Sequence, residues 1–247
     1  MSIGLLRRLR AALYPGLDLH TRNRASLKVF WSRGERDVLD AGCGNGYFAW
    51  LAYRSGARVV ALNIDSAQLR KASDLLFDVF GVQPSRLRFE HANLYALDKE
   101  QRRFDEIICY EVLEHLRDDK TVLRQFHRLL RPGGSLHLCC PNRLHPRHIA
   151  EVLDDDEQGG HVRPGYIEQE YRDLLEPLGF SIRRVVGIGP MHLYYADAAM
   201  RFLRHHLGDW AALPLLPLAL PLVWGAGFNP QQPFSLYVQA VKTEGQG

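Results

Sequence analysis

The sequence predicts an α/β fold, a seven-stranded and mostly parallel sheet with helices on both faces. Two observations predict it. From residue 37 onward, short runs rich in Val, Ile, Leu or Phe alternate with stretches whose apolar positions recur every 3.6 residues and end at Gly or Pro. Strand, helix and strand repeated along one chain imply a parallel sheet.

Taken in order, DVLDAG supplies the first strand and YFAWLAYRSG the helix behind it. RVVALN is the second strand, followed by the helix SAQLRKASDLLFDVFG. RLRFEHA and FDEIICY are the third and fourth strands, and DKTVLRQFHRLLRPGG leads as a helix into the fifth, GSLHLCC. Beyond residue 160, GYIEQEYRDLLEPLGF reads as a helix, SIRRVVGIG as the sixth strand and FSLYVQAVK as the seventh. The expected organisation over residues 1–247 is a single domain. It has an N-terminal helical cap (1–35), a ligand-binding core (36–189), an apolar helical insert between strands six and seven (190–233), and the last strand with its tail (234–247).

With 247 residues the chain can bury a sizeable core. A formal charge of +3, with local basic bias only at Arg7, Arg8 and Arg10, names no partner, and no aromatic-basic stacking surface is evident, so nucleic acid is disfavoured. Cys43, Cys109, Cys139 and Cys140 lack metal-site spacing and lie in apolar or Gly-rich segments, which argues against disulfides and zinc and for a reducing, cytoplasmic setting. The opening MSIGLLRRLRAALYPG carries arginines inside its apolar run and does not read as a cleaved signal. The acidic cluster at 154–157 reads as a solvated loop.

Over the 32 positions from Trp210 to Val241 there is no charged residue. Pro214, Pro217 and Pro221 disfavour a spanning helix there, and strands pairing in one sheet exclude a single crossing. Three readings remain: a lid over the active site, a homodimer surface, or a segment in peripheral contact with a membrane.

The segment VLDAGCGNGYF runs from strand into helix through Gly42, Gly44 and Gly46, which lets the backbone turn tightly and approach a ligand. Its third glycine comes one residue too early for a dinucleotide fingerprint, so nicotinamide cofactors are disfavoured. Asp40, at the loop mouth, suits a ligand bearing an ammonium and repels pyrophosphate. An amino-acid-like cofactor is expected.

With DAGCGNG, VVALNID, FDEIICYEVLEHL and RLLRPGGSLHLCCPN in this order, residues 35 to 190 resemble the class I S-adenosylmethionine-dependent methyltransferases, whose fold is Rossmann-like. The resemblance implies that Asp40, Gly42, Gly44 and Gly46 border the methionine part of S-adenosylmethionine. It places the ribose at Asn63 and Ile64, the adenine at Asn93 and Leu94, and Tyr110 beside the cofactor. The N-terminal helices would close over it. Two positions depart from the family pattern, since Asn63 and Asn93 stand where acidic residues are usual. An amide accepts a hydroxyl or an exocyclic amine without offering charge.

YEVLEHL follows the fourth strand. Read as a helix start, it sets Glu111, Glu114 and His115 at i, i+3 and i+4 on one face. Two carboxylates and an imidazole are ligands for Mg, Mn or Fe, and His161, on a glycine-flanked loop, is the best fourth candidate. The E-x-x-E-H segment with a distal His resembles the small-RNA 2′-O-methyltransferases. Its first half, with CCPN, resembles the ubiquinone-biosynthesis O-methyltransferases. Without metal, His115 or His161 is a candidate general base, or the glutamates are helix-start residues. His127 and His137 read as packing or surface residues, whereas His145 and His148 follow the fifth strand, where a substrate can lie. The expected activity is O-methylation of a hydroxyl on a small or lipid-linked acceptor. Methyl transfer to N or C and a non-catalytic cofactor-binding scaffold are the alternatives.

Overall fold

The central apolar runs become strands buried on both faces, as strands of a parallel sheet are, whereas the third and sixth runs, at the two sheet edges, keep exposed positions. The computed structural model describes residues 14–149, 152–154, 157 and 160–243. Its strands are β1 (Asp37–Ala41), β2 (Arg58–Asn63), β3 (Leu87–His91), β4 (Phe104–Tyr110), β5 (Leu130–Pro141), β6 (Phe180–Ile188) and β7 (Ser235–Lys242). They form one seven-stranded sheet in the order β3-β2-β1-β4-β5-β7-β6. Only β7 runs antiparallel to its neighbours. The order reverses between β1 and β4, which opens a crevice outside the carboxyl ends of those strands.

Adjacent residues in a strand serve opposite cores. Leu39, Ile107, Leu138 and Val238 point into one, and Val38, Ile108, Cys139 and Tyr237 into the other. Helices α1 (Leu19–Arg24), α2 (Tyr47–Arg54), α3 (Ser66–Asp74), α4 (Asp119–Leu129), α5 (Pro146–Ile149) and α6 (Glu168–Leu175) connect or flank the strands. Aspartates start three of them, and at α1 Asp18 accepts the N–H of Thr21. Asp65 accepts the N–H groups of Ala67 and Gln68 at α3, and Asp118 accepts that of Thr121 at α4.

The insert forms α7 (Met191–Leu207), α8 (Asp209–Ala212) and α9 (Leu216–Trp224). With α1 it builds a third apolar cluster, in which Leu19 packs with Leu193, Met200, Leu216, Ala219 and Val223. The N-terminal helix and the insert are therefore one cap. Pro214, Pro217 and Pro221 all face outward, and Pro217 occupies the first turn of α9, where no N–H is missed. Among the described residues no helix is long and apolar enough to cross a membrane. Of the N-terminal helices expected over 3–33, residues 1–13 lie outside the described residues.

One expectation fails locally. YEVLEHL does not start an α-helix: Glu111 is left-handed at φ 54°, and only Leu113–His115 make a single 3₁₀ turn. The Glu111 N–H is already committed to the Cys139 carbonyl at 2.7 Å, extending the β4–β5 ladder by one bond and forcing the chain to turn sharply after it. The i, i+3, i+4 face is thus absent, and any meeting of these side chains has another cause.

A buried polar network lies under the opposite edge. Glu106 receives Arg36 Nε at 2.6 Å and the Ser32 N–H at 2.6 Å, with His137 Nε2 at 3.5 Å. His137 also meets the Tyr237 hydroxyl at 2.7 Å, so it is a packing residue with a polar task. Burial pushes the Glu106 carboxyl up, yet His137, Arg36 and the Ser32 N–H together hold it down to about 2. Being depressed in the folded state, this group stabilises fully above pH 4.5 and loses its contribution as pH falls toward 2, about 3 kcal/mol in all. Glu106→Ala should cost about 3–5 kcal/mol at pH 7, because it leaves Arg36 buried and unpaired. Urea unfolding from pH 7 to pH 3 measures both effects.

Candidate active site

A cavity of about 630 Å³ opens at the carboxyl edge, over the ends of β1 to β4. The glycine loop forms its floor, lashed to β2 by the N–H groups of Gly42 and Cys43 on the Leu62 carbonyl at 2.9 and 2.8 Å. At Gly42 (φ 79°) an added Cβ would stand 2.4 Å from Val112 Cγ2, so the loop abuts the segment after β4. At Gly44 (φ 51°) the nearest atom to such a Cβ is Gln68 Oε1 at 4.0 Å, which leaves the backbone bare toward the cavity. Gly46 packs on Phe89 and Ala72, away from the cavity.

Asn63, Ile64 and Gln68 make the second wall, and Asn93, Leu94 and Tyr95 the third. Both asparagines also close turns. Asn63 Oδ1 accepts the Asp65 N–H at 3.3 Å while its Nδ2 donates to Gln68 Oε1 at 3.1 Å, and Asn93 Oδ1 accepts the Tyr95 N–H at 2.9 Å. Asp40 lies beneath the loop rather than on the wall, 2% exposed, with Oδ2 lacking a hydrogen-bond partner. Burial raises its carboxyl to about 7, against the pull of the Ala49 N–H. Tyr110 is also buried off the wall, its hydroxyl accepting the Trp31 indole N–H at 3.1 Å.

On the β4 side the chain brings together Glu114, His115 and His161, with one ligand atom from each within 4.8 Å of the others. The cause is loop pairing: the Val162 N–H donates to the Glu114 carbonyl at 3.0 Å, drawing His161 alongside. The two imidazoles then meet edge to face at 4.8 Å. His115 Nδ1 lies 2.7 Å from the Gly160 carbonyl, which can only accept, so the proton sits on Nδ1 and Nε2 carries the lone pair. Glu114 is fully buried and neither oxygen makes a hydrogen bond of ordinary geometry, although the Cys140 thiol is near. Burial, and then the Glu111 carboxylate, push its carboxyl well above the usual range.

Glu111 departs from the expected four-residue set. Its carboxylate is turned to Arg24 of α1, 2.6 Å away, and Arg24 in turn reaches Ser235 Oγ at 3.4 Å. Burial raises the Glu111 carboxyl while Arg24 opposes the rise. No sequence signal marked Arg24, since an arginine in a short helix reads as a surface residue. Glu157, in the loop expected to be solvated, is exposed and also lines the cavity, where it accepts from the Tyr95 hydroxyl at 2.7 Å and the Arg117 N–H at 2.6 Å. His145 and His148 are buried around Phe234, and burial, then His148, lowers His145 to about 4, so His145 is a neutral packing residue at pH 7. His127 packs edge-on against Phe180.

The bare Gly44 cradle and the orphaned Asp40 carboxylate fit a ligand carrying both an amino acid and a nucleoside. Gly44→Val should weaken S-adenosylmethionine by about 100-fold or more in calorimetry while leaving the circular dichroism unchanged, because its methyl groups enter the cavity. Asp40 is raised in the folded state, so its ionisation destabilises the ligand-free protein increasingly from pH 3.8 to about 7, and by about 4 kcal/mol above that. Asp40→Asn should therefore stabilise the ligand-free protein at pH 8, read by urea unfolding, and weaken the cofactor.

A family model described as a methyltransferase domain matches residues 7–185. The chain is 31% identical over 153 residues to a probable S-adenosylmethionine-dependent methyltransferase of Mycolicibacterium smegmatis, an alignment covering 62% of this chain and 55% of that one. It is 35% identical over 169 residues to the ubiquinone biosynthesis O-methyltransferase of Xanthomonas oryzae pv. oryzae, covering 66% and 67%. The chain thus spans little more than half the length of the Mycolicibacterium relative. A solved S-adenosylmethionine-dependent methyltransferase of Mesorhizobium loti shares the fold, with TM-score 0.60 and 22% identity over 92% of this chain and all of that one. The chain belongs to the methyltransferase domain family, in its class I S-adenosylmethionine-dependent branch.

Proposed function

We propose that the chain transfers a methyl group from S-adenosylmethionine to a hydroxyl oxygen of a small or lipid-linked acceptor with two neighbouring hydroxyls, a vicinal diol or a catechol. A divalent cation, Mg, Mn or Fe, assists. The observation that carries this reading is Glu114, a carboxyl group sealed from water with no hydrogen bond of ordinary geometry, beside two imidazoles. A buried carboxylate without a partner is costly unless a cation compensates it. Oxygen and nitrogen donors without thiolate suit those three metals.

The cofactor supplies an electrophilic methyl on sulfonium sulfur, and the cation, when bound, lowers the pKa of a coordinated hydroxyl and aligns it. The chain's own residues do the rest. Asp40 favours the ammonium end, the Gly42–Gly44 backbone makes room for the methionine chain, and Asn63 and Asn93 offer amides to the ribose and the adenine. Glu114, His115 and His161 hold the cation, with the Gly160 carbonyl orienting His115. Val112 and Leu116 on the cavity wall exclude water from the hydroxyl. As the new C–O bond forms, the bond from sulfonium sulfur to the methyl carbon breaks and leaves the thioether; the hydroxyl proton passes to solvent, or, with no cation bound, to His115 or His161.

The Xanthomonas relative acts, by its name, as an O-methyltransferase, which supports the choice of oxygen. Incubation with a panel of catechols and diols, the products read by mass spectrometry, tests it. Prior EDTA treatment should abolish turnover, and added Mg, Mn or Fe should restore it. Glu114→Gln should weaken Mn binding in calorimetry by about tenfold or more while cofactor affinity is kept. Full turnover after EDTA, with most activity lost in one histidine variant, replaces the metal with a base. Methyl transfer only to nitrogen or carbon acceptors overturns the reading.

A further inference from the structure

We infer that Arg163 is a positioning residue of the candidate active site: its guanidinium locks the turn that carries Glu114 and His115 against the segment that carries His161. The inference deepens the proposed function and rests on it for the identity of the bound cation. The positioning itself is read without metal.

The two segments differ in how well their own backbone holds them. Leu113–His115 make a single 3₁₀ turn, closed by the His115 N–H on the Val112 carbonyl at 3.0 Å and the Leu116 N–H on the Leu113 carbonyl at 3.1 Å. One such turn is weak support for two side chains that must hold a fixed separation. The His161 segment is anchored on β5 instead. There the Tyr166 N–H donates to the Pro141 carbonyl at 2.9 Å, and Gly165 (φ 100°) passes so close that a Cβ would have no room against the same oxygen.

Arg163, two residues beyond His161, stands between them. Its Nη2 donates to the Leu116 carbonyl at 2.6 Å and to the Arg117 carbonyl at 2.9 Å, the two that follow the turn. Its Nη1 donates to Asp119 Oδ2 at 2.5 Å, and the guanidinium lies 5.4 Å from the centre of the Tyr166 ring. Asp119 is a firm anchor. It is buried, it also accepts the Tyr166 hydroxyl at 2.7 Å, and it opens α4, whose Leu123 and Phe126 are fully buried in the core.

The exit of the Glu114–His115 turn is thereby tied to a helix that cannot shift without disturbing close packing. Gly160 and Val162, on either side of His161, bond His115 and Glu114, so a slip of one segment along the other would separate all three side chains together. A planar fork suits this task because its acceptors lie on two sides, whereas a lysine offers one nitrogen at one point. Groups that orient metal ligands commonly change affinity by about 10- to 100-fold.

The test compares Arg163→Lys and Tyr166→Phe with the wild-type chain. Without metal, exchange of the Val162 N–H followed by NMR should be about tenfold or more faster in Arg163→Lys, while the amides of β1 and β4 exchange as in the wild type, so that general loss of stability does not account for it. In calorimetry Mn should bind Arg163→Lys about tenfold or more weakly, with S-adenosylmethionine affinity unchanged. Tyr166→Phe removes a hydroxyl from the same carboxylate but leaves Arg163 on the two carbonyls. It should lower the melting temperature and keep Mn affinity within about twofold. Unchanged Val162 exchange in Arg163→Lys overturns the proposal, as does an equal loss of Mn affinity in both variants. A wild-type chain that binds no Mn overturns the cation of the proposed function instead, and the exchange measurement still decides the role of Arg163.

Discussion

Arg24 and Glu111 form the contact on which the active edge depends. Glu111 leaves β4 in a left-handed conformation uncommon for a side chain of its size, and its carboxylate is directed away from the sheet toward α1. The guanidinium is 5% exposed and lies between that carboxylate and the start of β7. Removing Glu111 would leave the Arg24 guanidinium unpaired in a dry interior, which costs far more than an exposed pair is worth. Cap and core are thereby held together by a charge as well as by Leu19. With Arg24 occupying Glu111, Glu114 remains beside the histidines without a compensating partner.

Carboxylates at this edge divide by environment. Asp65 and Glu157 spend their oxygens on backbone N–H groups or a hydroxyl, and are structural. Asp40 and Glu114 are buried with oxygens unsatisfied, and burial raises both. Natural folds seldom keep such groups without a use. They flank the cavity from below the glycine loop and from the β4 side, so a cationic ligand at either place relieves a cost already present in the empty protein.

Most of the sheet was legible because parallel strands announce themselves as unbroken apolar runs, and because Gly42, Gly44 and Gly46 mark a strand-to-helix turn. The details of the site were less so. YEVLEHL carries good helix formers, and nothing in those letters shows that the Glu111 N–H is claimed by Cys139 across the sheet. Tertiary pairing overrode local preference, yet Glu114, His115 and His161 still converge, through the bond from Val162 to Glu114 rather than through helical spacing. Asn63 and Asn93 stand at the strand ends as expected, but their second use in closing turns follows from loop geometry alone. Arg24 and Glu157 had no signal, since a buried or folded-back charge is a property of its surroundings.

The insert leaves the sheet after Ile188 and returns at Ser235, and these two residues are register partners. Asn229 bonds Gly187 through both its N–H and its side-chain oxygen, and the Phe234 N–H meets the Gly189 carbonyl, so the two ends of the excursion are clamped at one spot. The entropic cost of closing such a loop grows only with the logarithm of its length, about 0.6 kcal/mol for each doubling. A change in the length of the segment by itself thus costs the sheet little. The stretch between Ile188 and Ser235 is a unit whose length the sheet itself does not dictate.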